Sequence, residues 1–245
     1  EEKALEALFS LSNSPDVLSQ YYVACTLANL GSNADVHAIV VQEGGIQPLI
    51  ALAYSEDPDV HLNACAALRG LSATGDIKMK IVQEGGLEPI SRLLLSKDMI
   101  LLREATGCLC NLSLGDENRI ELTKSGIVTP LITLMQHEDM QIASFCCACL
   151  ANLAEILYSQ EIIVCEGAIK ACIAVMRSRY LDVQREGGRL LANLCACDLK
   201  AASDKIVENG GHHLLISYLL SRDTACQRVG AFGIGNLCTH ERHRV

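Results

Sequence analysis

The sequence predicts an all-α solenoid of stacked three-helix modules. Two sets of markers recurring with one period predict it, and so does an apolar stripe at helical spacing. The first set is a glycine turn leading into an apolar run, at Gly44-Gly45-Ile46, Gly85-Gly86-Leu87, Gly126-Ile127-Val128, Gly167-Ala168-Ile169 and Gly210-Gly211-His212. The second is Asn29-Leu30, Gly70-Leu71, Asn111-Leu112, Asn152-Leu153, Asn193-Leu194 and Asn236-Leu237. Both sets advance by 41 residues and both slip to 43 at the last step. A shared period with a shared slip is the signature of a repeat architecture.

Each module reads as three helices. The first is short, as over 76–84, and stops at a glycine, the residue that most readily takes a left-handed helix stop. The second, as over 87–95, carries Pro48, Pro89 or Pro130 in its first turn, where a missing amide hydrogen costs nothing. The third, as over 99–113, is the longest. Asp16, Asp57, Asp98, Asp139 and Asp223 stand just before it as caps for orphan amides, and only Tyr180 breaks the series. On the third helix, Leu27, Leu68, Leu109, Leu150, Leu191 and Ile234 lie three residues before the leucine of the Asn-Leu marker. The two rows share one face and form the core stripe. One module cannot bury enough apolar area alone, so the modules must stack. The expected organisation is one domain over 1–245, with modules at 1–31, 32–72, 73–113, 114–154, 155–197 and 198–239. The first lacks its opening helix, and 240–245 start a further one.

Half the residues are hydrophobic, Trp is absent and the net charge is −9. That charge argues against general binding to nucleic acid or anionic membrane. The thirteen cysteines do not fit a metal site. Cys108/Cys110 and Cys195/Cys197 are CxC pairs, and the CxxC of Cys146 and Cys149 has no second pair facing it. They read as small buried apolar residues in a reducing compartment. No signal peptide or membrane span is visible. His37, His61, His137, His212, His213, His240 and His243 are scattered, with no recurring nucleophile arrangement. The glycine turns lack the phosphate-loop pattern. The expectation is no enzyme, no metal and no cofactor.

The period, the Gly-Gly turn, the first-turn proline and the Leu-x-Asn-Leu pattern of the third helix resemble armadillo repeats across essentially the whole chain. The resemblance implies a right-handed α-solenoid of about six repeats, the first and last incomplete, whose third helices line a concave protein-binding groove. Within the family, the small-residue, cysteine-rich helices are similar to membrane-anchored armadillo-only adaptors, the fungal vacuolar and the apicomplexan armadillo-repeats-only proteins. That narrower resemblance implies an adaptor on the cytosolic face of an organelle. It would be held by a lipidated N-terminus outside this chain and bind a myosin-type motor or adaptor.

Asparagine is a poor helix-interior residue, so its recurrence asks for a reason. A carboxamide pairs with both N–H and C=O of an extended peptide. Helices roughly 8–10 Å apart and a chain advancing about 3.3 Å per residue bring one amide to the ligand every two to three residues. The predicted ladder is Asn29, Asn111, Asn152, Asn193 and Asn236, with a gap at Gly70. The alternative is that the amides bond to neighbouring segments and stiffen the solenoid. One and two turns earlier stand Arg103, Arg185, Arg189 and Arg228, with Tyr21, Leu62 and Phe232 as apolar anchors. These arginines read acidic segments of a partner, or else they pair with nearby acids such as Glu104 and Glu186. Nuclear-import adaptors of the family carry Trp four residues before the asparagine; this chain has none. The expected function is a monomeric cytoplasmic scaffold that tethers partner proteins. The alternatives are a nuclear transport receptor or a structural subunit of a cytoskeletal or axonemal assembly.

Overall fold

The computed structural model describes residues 2–197 and 200–239. The expected start of a helix at 240–245, with His240 and His243, lies outside the described residues. The described residues form helices joined by short turns, with no strand among them. The fold is an all-α armadillo-type solenoid. It divides into two compact units, residues 1–118 and 119–245.

The first unit contains α1 (Glu2–Ser10), α2 (Val17–Gly31), α3 (Ala34–Gln42), α4 (Ile46–Leu52), α5 (Pro58–Ser72), α6 (Ile77–Gln83), α7 (Leu87–Arg92) and α8 (Met99–Ser113). Short 3-10 turns extend α1 over Leu11–Asn13 and α7 over Leu93–Leu95. The long helices α2, α5 and α8 pack side by side in that order. Leu27, Leu68, Leu71, Leu109 and Leu112 are fully buried in the packing. At about 2 kcal/mol for each buried leucine, this stripe is the main source of cohesion within the unit.

The second unit begins within α9 (Asn118–Lys124). It continues through α10 (Val128–Leu134), α11 (Met140–Leu153), α12 (Leu157–Cys165), α13 (Ala168–Val175), α14 (Leu181–Leu194), α15 (Lys200–Glu208), α16 (Gly211–Leu219) and α17 (Thr224–Thr239). Here α11, α14 and α17 are the adjoining long helices, and Leu150, Leu153, Leu191, Leu194 and Leu237 are buried.

Local chemistry sets each boundary. Gly85 takes φ +92°, and Gly44, Gly126, Gly167 and Gly210 are likewise left-handed. The second glycine of the pair serves a different need. A Cβ on Gly86 would stand 2.8 Å from Ile81 Cγ2 and 2.9 Å from its carbonyl oxygen, so a side chain in this turn would force Ile81 to shift. Each capping aspartate works as expected. The Asp98 carboxylate accepts from Ile100 N at 2.7 Å and Leu101 N at 3.2 Å, and Asp57, Asp139, Asp16 and Asp223 repeat the pattern. The aspartate amides donate in turn to Ser14, Ser55, Ser96 and Ser221 hydroxyls, or to His137 Nδ1. Tyr180 contributes no side-chain cap to α14.

The far ends of the long helices are closed by polar side chains from the helix that follows. His37 Nε2 lies 2.8 Å from Gly31 O, Asn118 Nδ2 donates to Leu112 O at 3.1 Å, and Gln160 Nε2 donates to Ala154 O at 2.8 Å. Each reaches back six residues to a carbonyl at the helix end, where regular bonding runs out, and Leu112 O also accepts from Gly115 N at 3.2 Å.

Tyr180→Asp supplies the missing cap. It is expected to raise the unfolding free energy by about 1 kcal/mol, and Asp98→Ala to lower it by about the same. Urea denaturation of the two variants checks both signs.

Candidate partner-binding face

The predicted amide row lies on the third helices, and most of it is put to use inside the fold. In the first unit, Asn111 Nδ2 donates to Arg69 O at 3.2 Å and to Ser72 Oγ at 3.1 Å. In the second, Asn193 Nδ2 donates to Ala151 O and Asn236 Nδ2 to Ala192 O, each at 2.9 Å. All three accepting carbonyls belong to the last turn of the preceding long helix. The amide nitrogens four residues beyond them bond elsewhere. Asn193 and Asn236 therefore fill orphan acceptors on the neighbouring helix, and Asn111 joins the Ser72 hydroxyl on Arg69 O, which accounts for a poor helix former at this position. Asn152 is buried, at 3% exposure. Asn29 is exposed at the end of α2. Among the described residues, the Oδ1 atoms of Asn111, Asn193 and Asn236 accept no hydrogen bond and are not sealed from solvent.

The gap at Gly70 has a steric cause. A Cβ there would fall 2.1 Å from Gly31 O and 2.7 Å from Gly31 C. Helix α5 meets the end of α2 backbone to backbone, leaving no room for any side chain.

The arginines of the row sit among carboxylates. Arg185 grips Asp223 with two bonds, Nη2 to Oδ2 at 2.6 Å and Nε to Oδ1 at 3.1 Å, and also donates to Asp182 at 3.1 Å. The Arg185 hydrogen bonds, aided by the Cys226 amide, hold the Asp223 carboxyl well below the usual carboxylate range. Arg189 pairs with Glu186 at 2.8 Å and Glu155 at 3.4 Å, and donates to Ala148 O at 3.3 Å. Arg103 is half-buried on α8. Arg228 is exposed on α17 and makes no ion pair among the described residues. Of the apolar anchors, Tyr21 is half-buried, edge-on to Tyr22 with ring centres 5.5 Å apart. Leu62 is half-buried, and Phe232 is 54% exposed.

Nine of the thirteen cysteines are buried and all are free thiols. Burial pushes Cys108 and Cys147 up to about 12, and raises Cys65, Cys172 and Cys195 as well. These side chains are neutral packing elements at physiological pH, and no cluster of His, Cys, Asp and Glu among the described residues could hold a metal ion.

The sequence matches the family model of the armadillo/beta-catenin-like repeat at residues 35–73, 76–114 and 115–155. Those three segments match armadillo repeats, and the fold of the chain is that of an armadillo solenoid. Its fold is shared with an engineered protein at TM-score 0.87 and 29% identity, over 96% of this chain and 97% of that one. A second engineered protein gives TM-score 0.90 and 29% identity, over 96% of this chain and 58% of that one. A designed armadillo repeat protein solved in complex with the peptide (KR)4 gives TM-score 0.85 at 19% identity, over 95% and 99% of the two chains. No curated protein matches the sequence.

Two features of these faces escape a reading by equivalent positions. One is the set of acids, Asp182, Glu155 and Asp223, that balance the arginines. Asp223 belongs to the row of capping aspartates, but Asp182 and Glu155 come from two further positions in the module. The other is Arg69, whose neighbour Gly70 marks the ladder only as a gap.

Alanine is a better helix former than glycine by about 1 kcal/mol, yet Gly70→Ala is expected to destabilise the protein by about 2–4 kcal/mol, because backbone must move. A thermal melt that rises for Gly70→Ala would refute the contact.

Proposed function

We propose that the third-helix faces bind extended segments of partner proteins through their main chains. The observation that carries this is the orientation of the asparagines. The amides of Asn111, Asn193 and Asn236 are each fixed by a bond to the neighbouring helix and still offer an open Oδ1 acceptor. Asn193 and Asn236 also keep a second N–H. Rigid acceptors held in this way suit the N–H groups of an extended chain. The designed armadillo proteins solved with (KR)4, or described as made for modular peptide recognition, support the reading from a shared fold. Because Arg185 and Arg189 are already paired with acids, the preference for acidic partner segments rests on Arg228, beside Phe232 on α17. No catalytic role is proposed.

The test uses peptides selected from a displayed library of random 12-residue sequences. Asn193→Ala with Asn236→Ala is expected to weaken a selected peptide at least tenfold, each lost main-chain bond being worth about 1 kcal/mol. The melting temperature is followed alongside, since the same side chains join the helices. Undiminished affinity in a folded double variant would overturn the proposal.

The setting we propose is an adaptor that holds its partner at the cytosolic face of an organelle through a lipidated segment outside these residues. The cysteine-rich, small-residue third helices support it, as does their likeness to the membrane-anchored armadillo-only adaptors. No described helix is long and apolar enough to cross a membrane. Membrane fractionation of the full-length protein, with and without its acylation residues, decides the matter. Equal membrane recovery for both forms would sink it.

A further inference from the structure

The gap in the amide row lies within the first unit, between Asn29 and Asn111. Helix α5 cannot carry a side chain at Gly70. The residue before it reaches across instead. Arg69 extends from α5 over α8, with Nη1 2.9 Å from Glu104 Oε1. Gly107 makes this path available. A Cβ on Gly107 would stand 2.7 Å from Arg69 Nε and 3.0 Å from Cζ. The guanidinium therefore rests against bare α8 backbone. The pair is open to solvent, with 32% of the Arg69 side chain and 19% of that of Glu104 exposed.

Two departures from the repeat pattern, Gly70 and Gly107, thus serve one arrangement. The first removes an amide; the second seats a guanidinium against α8, one turn before Asn111. Arginine brings a forked set of N–H donors, and the Glu104 carboxylate brings a second acceptor oxygen that takes no bond among the described residues. Donor and acceptor stand side by side, as they do in a carboxamide.

We propose that the Arg69–Glu104 pair is a partner-binding site that takes the place of the missing asparagine and reads a peptide group of the bound segment. The guanidinium donates to a main-chain carbonyl of the partner, and the Glu104 carboxylate accepts the adjoining main-chain N–H. The pair is neutral as a whole, so it selects the peptide dipole and not a charged side chain. This rests on the reading that the third-helix face binds extended segments.

The test uses a peptide from the 12-residue library whose affinity falls with Asn111→Ala, together with a set of its analogues in which one amide at a time is replaced by an ester. An ester removes one N–H and weakens one carbonyl without changing any side chain. With the wild-type protein, an ester at the register two to three residues from the one facing Asn111 is expected to weaken binding about tenfold. With Arg69→Met and Glu104→Met together, the parent peptide weakens by about that factor and the same ester costs nothing further. Arg69→Gln with Glu104→Gln keeps one donor and one acceptor, and is expected to recover part of the affinity and of the ester sensitivity. It also serves if the methionine variant fails to fold. An ester profile identical in wild type and both pair variants would show the pair to be a helix-to-helix staple and overturn the proposal. Loss of Asn111 dependence for every selected peptide would instead overturn the binding reading on which it rests.

Discussion

A long helix that ends against a neighbour leaves carbonyls with no internal donor, and in a stack of helices every such end recurs. This chain satisfies those carbonyls from two directions. His37, Asn118 and Gln160 reach back from the following short helix. Asn111, Asn193 and Asn236 reach over from the next long helix. A buried carbonyl left unpaired costs about 1–3 kcal/mol. The leucine stripe supplies the larger share of the cohesion, but it is non-directional. The amide bonds fix the register at which one long helix meets the next.

That register determines what the exposed face can offer. Because Nδ2 is committed to a carbonyl on one side, Oδ1 is turned to a defined direction on the other, with no freedom to exchange the two. A side chain held this way loses little entropy when a ligand arrives. On the proposed reading, stability and recognition are linked through the same atoms, and a substitution in the row affects both. Arg69 follows the same logic by other means. Its guanidinium is held by Glu104 and by the absence of a side chain at Gly107, so the donor is placed before any partner is present.

Much of the fold was legible in the sequence because its determinants are local and repeated. The predicted third helix over 99–113 coincides with α8. The aspartate caps, the left-handed glycines and the exception at Tyr180 are each dictated by a residue and its next few neighbours. The site was legible only in part. The asparagine positions stood out by period, but the acceptors that engage them, Arg69 O, Ala151 O and Ala192 O, are main-chain atoms and carry no sequence signal. The nearby partners Asp182 and Glu186 were within reach of the sequence, but Arg185 and Arg189 also meet acids 34 to 38 residues away, at offsets unlike the module length. The close contact of Gly31 with Gly70 is a property of two backbones.

The distribution of charge then follows from packing more than from partner choice. Arginine lies at the joints between consecutive long helices, and so do the acids that meet it. Arg69 with Glu104 joins α5 to α8, and Arg185 with Asp223 joins α14 to the cap of α17. A partly exposed pair of this kind adds little stability where water screens it. Its larger effect is to leave the face nearly neutral while the chain as a whole carries −9. A neutral face lined with fixed dipoles favours what all extended segments have in common, the peptide group. If the proposed reading holds, selectivity within the second unit comes from the side chains that packing leaves outward there, Phe232 and Arg228 on α17.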